Sequence, residues 1–149
     1  MSAQVIPLCT IGYEGRTPDE LTAVLRLHGV SRVVDVRQLP LSRKRGFSKT
    51  ALAASLSTHG IGYISLRELG TPKPVRDTYK RSRDFRMLLK QYLAYIGKKD
   101  AAVEGLYQMA AADTCCLLCF ERDPEQCHRS VLADVVAKRN GRAFAVQHL

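Results

Sequence analysis

Residues 114–139 read TCCLLCFERDPEQCHRSVLADVVAKR, and this stretch decides the fold class. Its first seven residues, 114–120, are almost wholly apolar and predict a buried strand. A loop rich in charged residues follows, and residues 127–139 then have helical periodicity up to the stop signal Asn140-Gly141. A strand that leads into a helix is the unit from which parallel α/β sheets are built.

The same unit recurs along the rest of the chain. Residues 5–13 predict a strand, and Thr17, Pro18 and Glu20 form a capping-box pattern that opens a helix over residues 18–28. Further strands are predicted over residues 30–36, 60–66 and 143–149, and further helices over residues 48–59, 84–96 and 99–112. The glycine and two prolines of residues 70–74 exclude regular structure there. We expect one α/β domain over residues 1–149, with three layers and a mostly parallel sheet of about five strands flanked by helices.

Composition narrows the class of protein. The 149 residues are 46% hydrophobic and 25% charged, which is usual for one globular domain. An apolar run of about 18 residues is absent, and the first residues lack the pattern of a secretory signal, so we expect a cytoplasmic protein that does not cross a membrane. The five cysteines are an odd number without the spacing of a disulfide scaffold, so we expect reduced thiols.

The net charge of +9 is concentrated in two segments. Residues 37–49 contain five basic and no acidic residues, and residues 67–99 contain ten basic and three acidic ones. This asymmetry predicts a nucleic acid or a phosphorylated small molecule as partner. The alternative is a solvated basic surface that aids solubility. The residues predicted to bind nucleic acid are Arg76, Lys80, Arg81, Arg83, Arg86 and Lys90.

Polar residues follow the first four predicted strands. In parallel sheets, ligands bind at the carboxyl ends of the strands, so these residues should meet at one edge. They are Tyr13, Glu14, Gly15, Asp35, Arg37, Glu68, Gly70, Cys119, Glu121 and Arg122.

Cys127 is the strongest candidate for a reactive thiol. It lies at a predicted helix N-terminus, where the helix dipole stabilises a thiolate, and His128 and Arg129 are adjacent in sequence. The alternative is a small apolar core residue. A metal held by Cys119, Cys127 and His128 is a third interpretation, but the spacing differs from that of structural zinc sites, and we expect no metal and no cofactor.

Asp35 and several arginines have two interpretations each. Asp35 could act as a general base or orient Arg37, and Arg37, Arg43 and Arg129 could form a clamp on a phosphate. Asp35 could equally form a structural salt bridge with Arg37 or Arg129. Tyr13 could stack on a base, although covering the sheet edge is its simpler role.

Several of these motifs together resemble those of the domain of unknown function 488 (DUF488) family. The match runs over nearly the whole chain, and the resemblance implies a cytosolic α/β domain whose quoted positions form a shared polar site. The family name implies no agreed activity. The motifs are the run of residues 10–17 (TIGYEGRT), Asp35 to Arg37 with Pro40, Ser42 and Arg43, residues 46–48 (GFS), Leu69-Gly70, residues 119–121 (CFE), and residues 127–129 (CHR).

The leading hypothesis is an enzyme that acts on a nucleic acid or nucleotide, with repair-like chemistry at a base or sugar. The alternatives are a non-catalytic nucleic-acid or nucleotide binding module, and a thiol-based redox sensor that uses Cys119 and Cys127. The candidate catalytic residues are Asp35, Glu121, Cys127 and His128. The candidate substrate-binding residues are Tyr13, Gly15, Arg37, Arg43, Arg122 and Arg129.

Overall fold

The computed structural model describes residues 5–139 and 144–149. Its five strands are β1 (Ile6–Gly12), β2 (Arg32–Asp35), β3 (Gly62–Ser65), β4 (Cys115–Cys119) and β5 (Phe144–His148). They form one sheet in the order β3-β2-β4-β1-β5, and every pair of neighbours is parallel. The predicted parallel sheet is confirmed, with its carboxyl ends on one edge.

Six α-helices connect or follow the strands. They are α1 (Pro18–Leu27), α2 (Lys49–Ser57), α3 (Lys73–Ser82), α4 (Phe85–Ile96), α5 (Asp100–Ala112) and α6 (His128–Ala137), with short 3-10 turns over Arg67–Leu69 and Pro124–Gln126. The capping box of α1 is present, since the Thr17 hydroxyl accepts from the Glu20 amide and the Glu20 carboxylate accepts from the Thr17 amide. Within the part of the chain that the structure describes, none of the helices is long and apolar enough to span a bilayer.

The core has two halves, one on each face of the sheet. Along β4, Cys115 and Leu117 join the half covered by α4, α5 and α6, whereas Cys116 and Leu118 join the half covered by α1 and α2. This alternation follows from the two-residue period of a strand, and both faces are apolar because both are covered. The predicted three-layer α/β architecture is therefore confirmed.

The expectation of irregular structure over residues 70–74 is wrong in its second half. Helix α3 begins at Lys73, with Pro74 in its first turn. Proline is compatible with the first turn because an amide there has no partner within the helix. The predicted helix stop at Asn140-Gly141 and the predicted strand start at Ala143 lie outside the described residues.

Candidate functional site

A cavity of about 340 Å³ opens at the carboxyl edge of the sheet, beneath helices α3 and α4. Its walls come from the ends of β1, β2 and β4, from α3 and α4, and from the turn before α6. The lining residues are Tyr13, Arg37, Gln38, Leu39, Leu41, Ser42, Thr71, Arg76, Tyr79, Lys80, Leu88, Cys119, Phe120, Glu121, Gln126, Cys127 and His128.

Asp35 lies beneath the cavity and does not line it. Its carboxylate is fully buried and accepts from Arg37 through Nε at 2.8 Å and Nη2 at 2.6 Å, and from the Tyr63 hydroxyl. Burial disfavours the Arg37 charge, but the Asp35 hydrogen bonds outweigh it and raise the pKa of Arg37. The salt-bridge interpretation of Asp35 is confirmed, and a general base would need access that this buried carboxylate lacks.

The aromatic residues Tyr13 and Phe47 hold the other side of the Arg37 guanidinium. Nη1 donates to the Phe47 carbonyl at 2.7 Å and to the Tyr13 hydroxyl at 3.3 Å. Tyr13 stacks on Phe47 with ring centroids 4.5 Å apart, and Phe120 meets Tyr13 edge-on at 5.4 Å. Tyr13 and Phe120 both line the cavity, so an apolar wall lies beside a fixed cation.

Arg129 is the largest fully buried side chain. Its guanidinium donates to the Thr10 hydroxyl at 3.1 Å, to Cys119 Sγ at 3.0 Å, and to the carbonyls of Glu121 and Arg122. These bonds tie β1, the loop after β4 and α6 together. The side chain does not line the cavity, so it braces the site from below.

The expectation of five reduced thiols is wrong for two cysteines. Cys119 at the end of β4 and Cys127, the N-cap residue of α6, are joined by a disulfide bond, and both line the cavity. Cys9, Cys115 and Cys116 are free and buried, as expected. The sequence indicated this pair as a possible redox sensor but did not predict the bond, because eight residues separate the cysteines and only the fold of the loop brings their sulfurs together.

Two titratable groups of the cavity are shifted by burial. Burial raises the pKa of the Glu121 carboxyl, which favours its neutral form. Burial lowers the pKa of His128 to about 4, and its Nε2 lies 2.8 Å from the Val36 carbonyl oxygen. A carbonyl oxygen only accepts, so Nε2 carries the proton and Nδ1 has a free lone pair, 3.8 Å from Cys127 Sγ.

The same loop contains the one group of potential metal ligands among residues 5–139 and 144–149. Atoms of Cys119, Glu121 and Cys127 lie within 4.8 Å of one another. Three donors are fewer than the four of a structural zinc site, and the two sulfurs are bonded to each other. We assign no metal to this group.

The arginine clamp expected from the sequence does not form. Arg129 is fully buried, with its donors engaged by protein acceptors, and Arg43 is exposed away from the cavity. Gly15 and Arg122 lie outside the cavity lining as well; the Arg122 amide donates to the Glu14 carboxylate at 3.0 Å on the exposed rim. Of the predicted substrate-binding residues, Tyr13 and Arg37 line the cavity.

The residues predicted to bind nucleic acid fall into two groups. Arg76 and Lys80, on α3, line the cavity. The other four are exposed and do not line it: Arg81, Arg83, Arg86 and Lys90. The basic segment therefore supplies two cations to the cavity and places the rest of its charge on the outer surface.

Comparison with known proteins assigns the family. The model of the family described as Domain of unknown function DUF488 matches residues 17–136. The chain belongs to this family. No curated protein and no solved structure matches the chain. Membership in the DUF488 family carries no activity with it, so the function has to be argued from the cavity itself.

Sequence reasoning missed several residues of this DUF488 cavity. Gln38 follows the Asp35 and Arg37 pair directly and accepts from Arg76 Nη2 at 3.0 Å, which links β2 to α3. Thr71 lies in the stretch predicted to be irregular, and Tyr79 lies on α3, over which the sequence predicts no helix. Tyr79 and Lys80 follow Arg76 by three and four residues. Only this helical spacing could have indicated that the three residues share one face of a helix.

Proposed function

We propose that this DUF488 chain binds a small anionic molecule with an apolar or aromatic part, a phosphate ester such as a nucleotide, in the cavity at the carboxyl edge of the sheet. The observation that supports this most is the charge of the lining. Arg76 and Lys80 contribute two cations beside Arg37, whose charge Asp35 compensates, and Glu121, whose pKa is raised by burial, is the single carboxylic acid of the lining. The excess of positive charge in a concave site favours an anion.

Arg76 adds a free donor to this charge. Its Nε is buried and has no hydrogen-bond partner within the described chain, while its Nη2 is held by Gln38. Buried donors are ordinarily paired, and an unpaired one costs about 1–3 kcal/mol. An anionic oxygen in the cavity would supply the missing acceptor in a charge-assisted hydrogen bond.

The apolar part of the ligand has its own wall. Tyr13 and Phe120 present rings, and Leu39, Leu41 and Leu88 add aliphatic surface to the lining. A volume of about 340 Å³ fits a small molecule or a single nucleotide. Helix α6 begins at the floor of the cavity, and its dipole adds to the positive potential there.

Isothermal titration calorimetry with adenosine monophosphate and with inorganic pyrophosphate tests this proposal. The double variant Arg76→Gln/Lys80→Gln removes two lining cations. It should raise the Kd at least about tenfold, since a hydrogen bond to a charged group contributes about 1.5–3 kcal/mol. The control Arg86→Gln/Lys90→Gln removes the same charge from residues outside the cavity and should change Kd by less than about twofold. Absence of binding by the unmodified protein, or equal weakening by both double variants, would contradict the proposal.

A further inference from the structure

Arg129 carries a buried positive charge without an ionised partner. No carboxylate of the described residues lies within ion-pair distance of its nitrogens. Its hydrogen-bond acceptors are two backbone carbonyls, the Thr10 hydroxyl and Cys119 Sγ. A buried charge is costly unless an opposite charge compensates it, so this guanidinium favours any neighbour that can become an anion.

Cys119 is the one acceptor of Arg129 that can ionise near neutral pH. Carbonyls and a threonine hydroxyl stay neutral, whereas a thiol becomes a thiolate. Arg129 Nη1 lies 3.0 Å from Cys119 Sγ, so reduction of the disulfide would leave a thiolate at Cys119 against its counter-ion. The sequence pointed to Cys127 because of its helix N-terminus and the neighbouring His128 and Arg129, but the fold places the Arg129 guanidinium beside Cys119.

Cys127 has a different neighbour. Its sulfur lies 3.8 Å from Nδ1 of His128, the ring nitrogen that carries no proton. A neutral imidazole nitrogen accepts a hydrogen bond from a thiol, which holds Cys127 as the protonated member of the pair. Glu121 Oε2 lies 3.6 Å from Cys119 Sγ, and the other charged groups of the surrounding lining are Lys80, Arg37 and Arg76.

We propose that Cys119 and Cys127 are a redox-active pair that exchanges thiols with small disulfides, with Cys119 as the attacking thiolate and Arg129 as its counter-ion. The Cys119 thiolate attacks a disulfide R–S–S–R, forming a mixed disulfide with R and releasing one R–S⁻. The Cys127 thiol then loses its proton to that leaving thiolate and attacks the Cys119 sulfur, which releases the second R–S⁻. The protein dithiol is oxidised to the Cys119–Cys127 disulfide, and R–S–S–R is reduced to one thiol, which holds the Cys127 proton, and one thiolate, which water protonates according to its pKa.

Access and selectivity agree with this chemistry. Cys119 and Cys127 belong to the cavity lining, although only 2% and 1% of their surface is exposed, whereas Cys9, Cys115 and Cys116 lie in the two halves of the core. Burial raises the pKa of Cys115 to about 11 and raises that of Cys116 strongly. The pair is thus placed for reaction, and the other three thiols are protected from it.

The test mixes the reduced protein with bis(2-hydroxyethyl) disulfide in the presence of EDTA. This probe is neutral, so its reaction does not depend on anion binding. In Cys127→Ser, Cys119 should form a stable mixed disulfide with the probe, found by mass spectrometry of the intact protein and of its peptides. In Cys119→Ser, Cys127 should react more slowly, on the order of tenfold at pH 7, because less of it is thiolate. Iodoacetamide labelling of the reduced native protein against pH should give Cys119 an apparent pKa below about 8.5.

Two outcomes would overturn the proposal. Faster reaction of Cys127 in Cys119→Ser than of Cys119 in Cys127→Ser would assign the nucleophile to the helix N-terminus instead. Reaction of both thiols only after unfolding in urea would show that the disulfide is a structural bond. A circular dichroism spectrum of each variant shows that it is folded, and the pH profile of the unmodified protein tests the same claim without a substitution.

Discussion

His128 shows at the scale of one residue how burial decides a protonation state. The imidazole is 8% exposed and held by the Val36 carbonyl, and burial lowers its pKa to about 4. The ring is therefore neutral at pH 7, which makes it a hydrogen-bond acceptor for the Cys127 thiol of the reduced protein and a poor proton acceptor for a substrate. The sequence indicated His128 as a catalytic candidate but could not reveal this state, because Val36 is 92 residues away.

The lowered pKa predicts acid sensitivity. An unfolded histidine has a pKa near 6.5, above the value of about 4 in the folded chain, so protonation favours the unfolded state. We expect this residue to reduce the free energy of unfolding by on the order of 2–3 kcal/mol as the pH falls from about 6.5 to about 4. Urea unfolding at several pH values measures this. His128→Gln does not titrate and should lose less stability over that window; an identical loss in both proteins would contradict the shift.

At the scale of elements, the end of β1 and the loop after β4 are in backbone contact. A Cβ at Gly12 would overlap the Glu121 carbonyl and lie 2.9 Å from Arg122 Cα. The two carbonyls of this loop also accept from Arg129. Glycine at position 12 therefore sets the position of the loop that carries Cys119, Phe120 and Glu121 into the cavity.

Gly12→Ala should consequently destabilise the protein, by about 3 kcal/mol, as expected for overpacking against backbone that cannot move aside. Gly105→Ala is the matched control: it lies within α5, where an added Cβ meets nothing within 4 Å. Alanine is a better helix former than glycine, so this change should stabilise by up to about 1 kcal/mol. Chemical denaturation measures the free energy of unfolding of both variants. Equal values would contradict the close approach of Gly12 to the loop after β4.

Helices and strands could be predicted from the sequence where the apolar pattern and the capping residues indicated the same boundaries. Strands β1 and β4 and helix α1 were placed within one or two residues, since apolar runs and a capping box define them. Helix α3 was missed because it buries no residue fully, so it lacks the apolar stripe that indicates a helix, and because prolines flank and enter its first turn. The cavity depends on α3, and for that reason the sequence predicted the edge of the sheet but not the enclosed site.

For the whole molecule, the basic charge divides into a cavity part and an outer part. Arg81, Arg83 and Arg86 are exposed and outside the lining. Reversing all three to glutamate should change the Kd for adenosine monophosphate by less than about threefold at 0.15 M salt, because none of the three lines the cavity and salt screens exposed charges. Parallel titration with a single-stranded oligonucleotide tests the outer surface separately. Loss of adenosine monophosphate binding in the variant with all three charges reversed would mean that the outer surface, and not the cavity, holds the ligand.

The most direct measurement of the central claim is an NMR titration that follows the Nε–Hε resonances of the arginines. Arg76 Nε is buried and has no hydrogen-bond partner among the described residues, so adenosine monophosphate or pyrophosphate bound in the cavity should shift its resonance saturably. The signal is assigned by its absence in Arg76→Lys. The account predicts a saturable shift at Arg76 with little change at Arg81, Arg83 and Arg86. Shifts confined to those exposed arginines, with Arg76 unchanged at saturating ligand, would contradict it.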